Sequence, residues 1–162
     1  GHGGIAFAVL SDKLLQKQPP FIGWFGGENP FDMDAKNLKL AKTASKYTQS
    51  TLSYITAAGL NASIDELLKL GLNNIFEHSQ KLATALISKL EGSGWAPFQS
   101  PESPEFSPHI VTLQNPYCDV RATEASLTEN RIICSIRNGR VRVSHAHYNS
   151  HDDVTALINC LQ

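Results

Sequence analysis

The sequence predicts an α/β fold in which a short, mainly antiparallel sheet is covered by helices. Two long segments with apolar residues at helical spacing come first, and strand-like and helix-like runs then follow in the order β, α, β, β, α. Asn138–Gly139 lies between two of the strand-like runs and is the strongest short-range signal for a β-hairpin. A chain of 162 residues, 41% of them apolar, is long enough for one compact domain or for a piece of a larger protein.

The first part of the chain predicts little regular structure. The apolar run at 3–10 predicts a buried strand, and Ser11 is expected to cap a short helix that ends near residue 18, before two prolines. The residues from 19 to about 46 have no steady period. A loop of this length is uncommon inside a compact domain, and such loops are usually functional or cover a neighbour.

Two long helices are predicted at 50–69 and at about 73–91, because their apolar residues recur every three or four positions. Gly71 is expected to end the first helix as its C′ residue. Gly92 and Gly94 are expected to stop the second.

The remaining residues predict the sheet and two further helices. The strand candidates are "GWAPF", "PHIVTLQ", "RIICSI" and "RVRVSH". A helix is predicted at 119–129, between the second and third of these strands. Ser150 is expected to cap the last helix, with His151, Asp152 and Asp153 in its first turn.

The composition excludes several classes of partner. The 14 basic and 15 acidic residues nearly balance, so the chain has no basic field of the kind that captures nucleic acid. No apolar run approaches the roughly 20 residues that cross a bilayer, so no membrane association is expected. The three cysteines are an odd number without a CxxC pair, which predicts neither a disulfide framework nor a zinc site. We expect a cytoplasmic protein.

Arg142 is the main candidate for binding chemistry. It alternates with Val141 and Val143, so it should point away from the core together with Arg140 and Ser144. A guanidinium group on a rigid strand can bind a carboxylate through two parallel hydrogen bonds. An exposed strand arginine is the alternative, and spacing alone favours it.

Three histidines near the C-terminus raise the question of a metal site. His145, His147 and His151 could offer imidazole ligands. No cysteine or glutamate lies at a supporting spacing, and Tyr148–Asn149 should bend the chain between the histidines. We therefore predict no metal site.

Ser50 and Thr51 lie at the start of the first long helix. Hydroxyl groups beside the free N–H groups of a helix start can hold a phosphate. Capping of the helix by either residue is the simpler interpretation, and the local sequence favours it.

Four stretches, in their order along the chain, carry a more specific pattern. They are "GHGGIAFAVLSDKLL", "PPFIGW", the segment that runs from "KYTQST" to "KLATAL", and "IRNGRVRVSHAHYNSHDDVTALINCL". The third is similar to a basic-aromatic-x-x-Gly-Thr motif, and the last to an Arg-x-Ser-x-x-x-Tyr-Asn-Thr motif. In this order they resemble the C-terminal portion of class V aminotransferase-like enzymes. These are pyridoxal-phosphate enzymes of fold type I, which include cysteine desulfurases, selenocysteine lyases and epimerase-like members.

The resemblance implies a domain division and three site residues. Residues 1–60 would be the tail of the large cofactor domain, and 61–162 the small C-terminal domain. Arg142 would bind the α-carboxylate of an amino-acid substrate. Thr51, preceded by Ser50 where the family usually has glycine, would reach the phosphate of pyridoxal phosphate, typically in the partner subunit of a homodimer. Tyr148–Asn149 would shape the turn after the arginine strand.

The resemblance also implies what this chain does not supply. The Schiff-base lysine of the family precedes the glycine-rich turn, and no lysine here matches its position. We therefore expect no catalytic residue in this chain and no activity from it alone. The family's desulfurases carry a nucleophilic cysteine on a loop before the arginine strand, where this sequence predicts a tight hairpin. Desulfurase activity is thus disfavoured, and lyase, epimerase and transaminase types remain.

A non-enzymatic α/β interaction module is the alternative function. Its contact surface would be the aromatic loop at 19–34, which carries Phe21, Trp24, Phe25 and Phe31. In the enzyme hypothesis, the same aromatics pack against the large domain or a second subunit.

Overall fold

The structure, a computed structural model, describes residues 4–32, 34 and 36–162. The chain divides into two compact units, Gly1–Glu66 and Leu67–Gln162. None of the described helices is both long enough and apolar enough to cross a membrane.

The first unit contains short helices and irregular backbone. Helix α1 spans Asp12–Leu15 and is shorter than expected, and the side chain of Ser11, which precedes it, makes no capping hydrogen bond. Three single turns of 3₁₀ helix follow, at Trp24–Gly26, Pro30–Asp32 and Ala44–Tyr47. Helix α2, Tyr54–Leu70, begins in this unit and ends in the next.

The strand predicted at 3–10 is wrong. Residues 5–10 form no strand, and Phe7 and Val9 are 67% and 89% exposed. Residue 3 lies outside the described residues. An apolar run becomes a strand only where a neighbouring strand takes up its N–H and C=O groups, and no strand in the described part of the chain pairs with this one.

Two glycines let the loop cross another segment of the first unit. A Cβ atom at Gly23 would lie 1.7 Å from the carbonyl oxygen of Gln49, and one at Gly26 would lie 2.7 Å from that of Lys46. The side-chain amide of Gln49 also donates to the carbonyl of Phe21 at 2.8 Å. The crossing therefore joins the stretches "PPFIGW" and "KYTQST".

Lys46 and Tyr47 tie this crossing to the end of α1. Lys46 is only 7% exposed, and its Nζ donates to the carbonyl of Leu15. The Tyr47 hydroxyl lies 2.8 Å from the carbonyl of Leu14 and 3.2 Å from that of Lys17. Carbonyls at a helix C-terminus lack partners within the helix and attract cations, so these side chains fix a loop that has no period of its own.

The second unit contains the helices and the sheet that the sequence predicts, except that only the last two residues of the strand candidate "RIICSI" belong to a strand. Helix α3 spans Leu72–Lys89, α4 spans Val120–Glu129 and α5 spans His151–Leu161. Gly71 separates α2 from α3 with φ of 86°, as expected for a C′ glycine.

The sheet has four strands. They are β1 (Ala96–Pro97), β2 (Ile110–Gln114), β3 (Ser135–Arg137) and β4 (Arg140–Ser144). Their order is β1-β2-β4-β3, and every neighbouring pair is antiparallel. The predicted fold class is confirmed.

The hydrophobic core lies on one side of this sheet. Alternate residues of the two central strands are buried, among them Val111 and Leu113 of β2 and Val141 and Val143 of β4. Apolar residues of the helices and of the segment after α3 complete the cluster, namely Leu82, Ala83, Leu86, Leu90, Trp95, Leu127, Val154, Leu157, Ile158 and Leu161. The other face of the central strands is left for polar residues.

Candidate functional site

Arg142 lies in the middle of a central strand. It is opposite Thr112 on one side and Ser135 on the other, so both flanks of its backbone are paired. Its neighbours Val141 and Val143 face the core, which directs Arg142 to the opposite face, as the alternation predicts. The backbone that carries this guanidinium group is therefore held rigidly.

The Arg142 side chain is half-buried rather than exposed, contrary to the simpler interpretation of its spacing. Its Nε atom is buried and has no hydrogen-bond partner among the residues that the structure describes. Leaving a charged donor buried and unpaired costs free energy. An anionic ligand would satisfy this donor, and a carboxylate matches the shape of a guanidinium group.

Two further arginines share this face. Arg137 and Arg140 are paired with each other across the β3–β4 hairpin, and Arg140 is two residues from Arg142. Phe98, whose N–H bonds to the carbonyl of Thr112, brings an aromatic ring to the same face. We call this surface the arginine face; it consists of Phe98, Thr112, Ser135, Arg137, Arg140 and Arg142. Across residues 4–32, 34 and 36–162, no carboxylate forms an ion pair with any of its arginines.

Arg140 is held against the ring of Phe98. Its Cζ atom lies 3.8 Å from the centroid of that ring, which is a close cation–π contact. No local pattern in the sequence indicates this pair, because Phe98 follows β1, which is far from β4 in the sequence and is separated from it in the sheet by β2.

The turn after β4 is built by histidine and asparagine side chains. The Nδ1–H of His145 donates to the carbonyl of Pro108 at 3.0 Å. Asn149 accepts from the N–H of Ala146 at 3.0 Å, and its carbonyl accepts from Nε2 of His78 at 2.8 Å. These bonds stabilise the turn that the sequence motif indicates, and Asn149 takes part in them as a hydrogen-bond acceptor.

The three candidate metal ligands do not converge in the structure. His145 is buried against Pro108, the ring of His147 packs edge-on to Tyr148 at 5.2 Å, and His151 is exposed at the start of α5. Within the described ranges, no group of three or more His, Cys, Asp or Glu side chains could hold a metal ion.

Ser50 and Thr51 do not cap a helix, so that interpretation is wrong. Helix α2 begins at Tyr54, and its first bond runs from the N–H of Ala57 to the carbonyl of Ser53. Both hydroxyl groups are exposed, and neither has a hydrogen-bond partner in the part of the chain that is described. Two adjacent free hydroxyls fit the chemistry of a phosphate, which accepts several hydrogen bonds.

The cysteines are poorly placed to act as nucleophiles. Cys134 comes just before β3 and is half-buried, and burial raises the pKa of its thiol. The Sγ atom of Cys118 lies 2.9 Å from the hydroxyl of Thr123. Cys160 is half-buried in α5. The β3–β4 turn consists of only Asn138 and Gly139, with φ of 48° and 72°, which confirms the predicted hairpin.

The buried position of Lys46 and the contact between Arg140 and Phe98 are not indicated by the sequence. Lys46 belongs to the basic-aromatic motif, but nothing in its neighbourhood indicates that its partner is the end of α1. Both features depend on residues distant in the sequence.

Curated relatives are similar over all or much of the chain. The whole chain is 26% identical to an uncharacterized protein of Schizosaccharomyces pombe, and 98% of it is 23% identical to the uncharacterized aminotransferase YcbU of Bacillus subtilis. A probable cysteine desulfurase of Streptomyces coelicolor is 30% identical over 90 residues, which are 56% of this chain and 21% of that protein. The chain spans only 37% and 41% of the length of the first two relatives.

Solved structures show the same fold. The cysteine desulfurase of Thermococcus onnurineus NA1 matches 87% of this chain with a TM-score of 0.71 and 21% identity, over 38% of its own length. The cysteine desulfurase CsdA of Escherichia coli matches 85% with a TM-score of 0.66 and 22% identity, over 37% of its length. The family model described as aminotransferase class-V matches residues 1–157. Since that match covers nearly the whole sequence, this chain belongs to the class-V aminotransferase family.

Proposed function

We propose that this chain is the C-terminal part of a pyridoxal-phosphate-dependent enzyme that acts on an amino acid. One observation carries the proposal beyond family membership, namely the buried and unpaired Nε of Arg142 on a rigid central strand. In the proposed enzyme Arg142 binds the α-carboxylate of the substrate and fixes its orientation. Residues 61–162 form the small domain, and residues 1–60 belong to the large one.

Ser50 and Thr51 are the residues proposed to hold the cofactor. Their exposed hydroxyls donate to its phosphate, in the partner subunit of a homodimer. Bound pyridoxal phosphate supplies an electron sink for bonds to the substrate Cα. No lysine of this chain matches the Schiff-base position of the family. We therefore propose that other residues of the full-length enzyme complete the site and that the chain alone is inactive.

The reaction is proposed to be of the lyase, epimerase or transaminase type. A two-residue hairpin turn leaves no loop that could carry a nucleophilic cysteine towards Arg142. Burial raises the pKa of the nearby Cys134 thiol and so disfavours the thiolate. Both observations argue against cysteine desulfurase activity. The similarity to solved desulfurases is below 25% identity and supports the fold alone.

We further propose a cytoplasmic location. The three cysteines are all free, as expected in a reducing compartment. The alternative of a non-enzymatic interaction module has some support, because the rings of Trp24, Phe25 and Phe31 cluster with centroids 4.7–6.3 Å apart and Phe31 is exposed. Family membership favours the enzyme.

The test is Arg142→Gln in the full-length enzyme. Loss of a charge-assisted bidentate bond should raise KM for every amino-acid substrate by roughly 10- to 100-fold. Arg121→Gln, which removes an exposed arginine of α4, is the matched control and should leave KM unchanged. Unchanged kinetics in Arg142→Gln would contradict the proposal, as would turnover by the isolated 162-residue chain supplied with pyridoxal phosphate.

A further inference from the structure

We propose that Arg140 binds a second anionic group on the substrate, so that the enzyme prefers amino acids with an acidic side chain. This inference rests on the proposed function, in which Arg142 holds the α-carboxylate.

The placement of the two arginines suits a ligand with two carboxylates. Arg140 and Arg142 are two residues apart in β4 and therefore share a face of the sheet. Their Cα atoms are separated by roughly 7 Å, since a strand rises about 3.4 Å per residue. The long side chains can converge from that spacing on the two ends of a small dicarboxylic amino acid.

Arg140 is also preorganised. The contact of 3.8 Å between its Cζ and the ring of Phe98 limits the freedom of a side chain that would otherwise have many rotamers. Stacking occupies the flat surface of the guanidinium group and leaves its N–H edge available for in-plane hydrogen bonds. A carboxylate that meets this edge loses less conformational entropy than one that must order a free arginine.

The charge of the arginine face supports a ligand over a purely structural contact. Arg137 lies directly opposite Arg140, and Arg142 is the next residue along the same face. Like charges at such positions destabilise a sheet. No described acidic side chain forms an ion pair with any of the three. Packing against Phe98 alone would not require a charge, whereas two anionic groups on one ligand would offset the repulsion.

The experiment compares acids with their amides in the full-length enzyme. Aspartate is compared with asparagine, and glutamate with glutamine. Binding of each ligand is measured from the change in the cofactor absorption band on titration, together with KM where turnover occurs. For Arg140→Gln we expect weaker binding of both acids by roughly 10- to 100-fold and little change for both amides. Arg140→Lys keeps the charge without the planar edge and should fall between the wild type and Arg140→Gln.

Two other variants separate the possible results. Arg137→Gln removes an exposed positive charge from the same face and should lower the preference for acids much less than Arg140→Gln does. If it equals Arg140→Gln, a general positive field explains the data and the inference is overturned. Equal weakening of acids and amides in Arg140→Gln would likewise overturn it, because Arg140 would then only support the sheet. If Arg142→Gln weakens none of the four ligands, the proposed function itself fails.

A binding measurement that does not depend on the cofactor can be made by NMR on the 162-residue chain. Titration with glutarate should shift the NMR signals of the Nε–H groups of both Arg140 and Arg142, whereas butyrate should shift that of Arg142 alone. The amide spectrum of Arg140→Gln reports whether the sheet is intact. Shifts at Arg142 alone with both ligands would contradict a role for Arg140.

Discussion

Two arginines in β4 differ in how their side chains are held, although the sequence presents them alike. The backbone of Arg142 is held by strand pairing on both sides, and its buried Nε has no partner among the described residues. Arg140 is fixed at its tip by the ring of Phe98. The first arrangement favours binding of one carboxylate, and the second adds a separate point of contact beside it. Both proposals therefore concern single side chains on a rigid scaffold.

The thiol of Cys134 supplies a residue-level prediction about pH. Burial disfavours its thiolate and raises its pKa above the usual value for cysteine. The rate of alkylation by iodoacetamide should therefore begin to rise at higher pH in the folded chain than in urea, where the ordinary pKa returns. Mass spectrometry of the Cys134 peptide measures both pH profiles. Coincident profiles would contradict a buried neutral thiol.

The start of α5 shows how a local pattern fixes an element. The hydroxyl of Ser150 accepts from the N–H of Asp153 at 3.4 Å, and the Asp153 carboxylate accepts from the N–H of Ser150 at 2.8 Å. The second of these bonds, with a further one from Asn149, holds the pKa of Asp153 below its usual value. The predicted cap is thereby confirmed as a reciprocal capping box.

Removing this cap should destabilise the second unit. We expect Ser150→Ala to lower the free energy of unfolding by about 1 kcal/mol, measured by urea denaturation, because one N–H of the first turn loses its acceptor. Asn159→Ala, an exposed change in the same helix, is the control and should have little effect. Since the pKa of Asp153 is lowered, its contribution is present above the usual aspartate pKa and is lost as pH falls through the lowered value. That contribution comes mainly from the backbone N–H of residue 150, which alanine keeps, so the effect of Ser150→Ala itself should change little with pH. An effect that disappears in acid would contradict this account.

At the scale of the whole molecule, the buried apolar core belongs to the second unit. Every member of the core cluster lies between Leu82 and Leu161, on α3, the sheet, α4 and α5 and the segments that connect them. The first unit instead uses glycine crossings and hydrogen bonds from Lys46 and Tyr47. Cooperative stability should therefore reside mainly in Leu67–Gln162.

A substitution at Leu86 tests whether the stability resides mainly in the core of the second unit. Leu86→Ala leaves a cavity in the fully buried centre of the core and should lower the free energy of unfolding by about 3 kcal/mol, measured by urea denaturation. Leu72→Ala removes the same atoms from a side chain that is 61% exposed, and should cost less than about 1 kcal/mol. Similar losses in the two variants would show that the core lies elsewhere.

The sequence by itself determined the elements whose causes are local. Apolar residues at helical spacing, the C′ residue Gly71, the turn Asn138–Gly139 and the cap Ser150 each act within a few residues, and the corresponding helices and hairpin are present. The direction of Arg142 also followed from strand alternation. Only the tertiary structure decided that 5–10 forms no strand, that Lys46 bonds to the end of α1, and that Arg140 stacks on Phe98. These features depend on partners distant in the chain, and the energy of such contacts leaves no period or motif in the sequence.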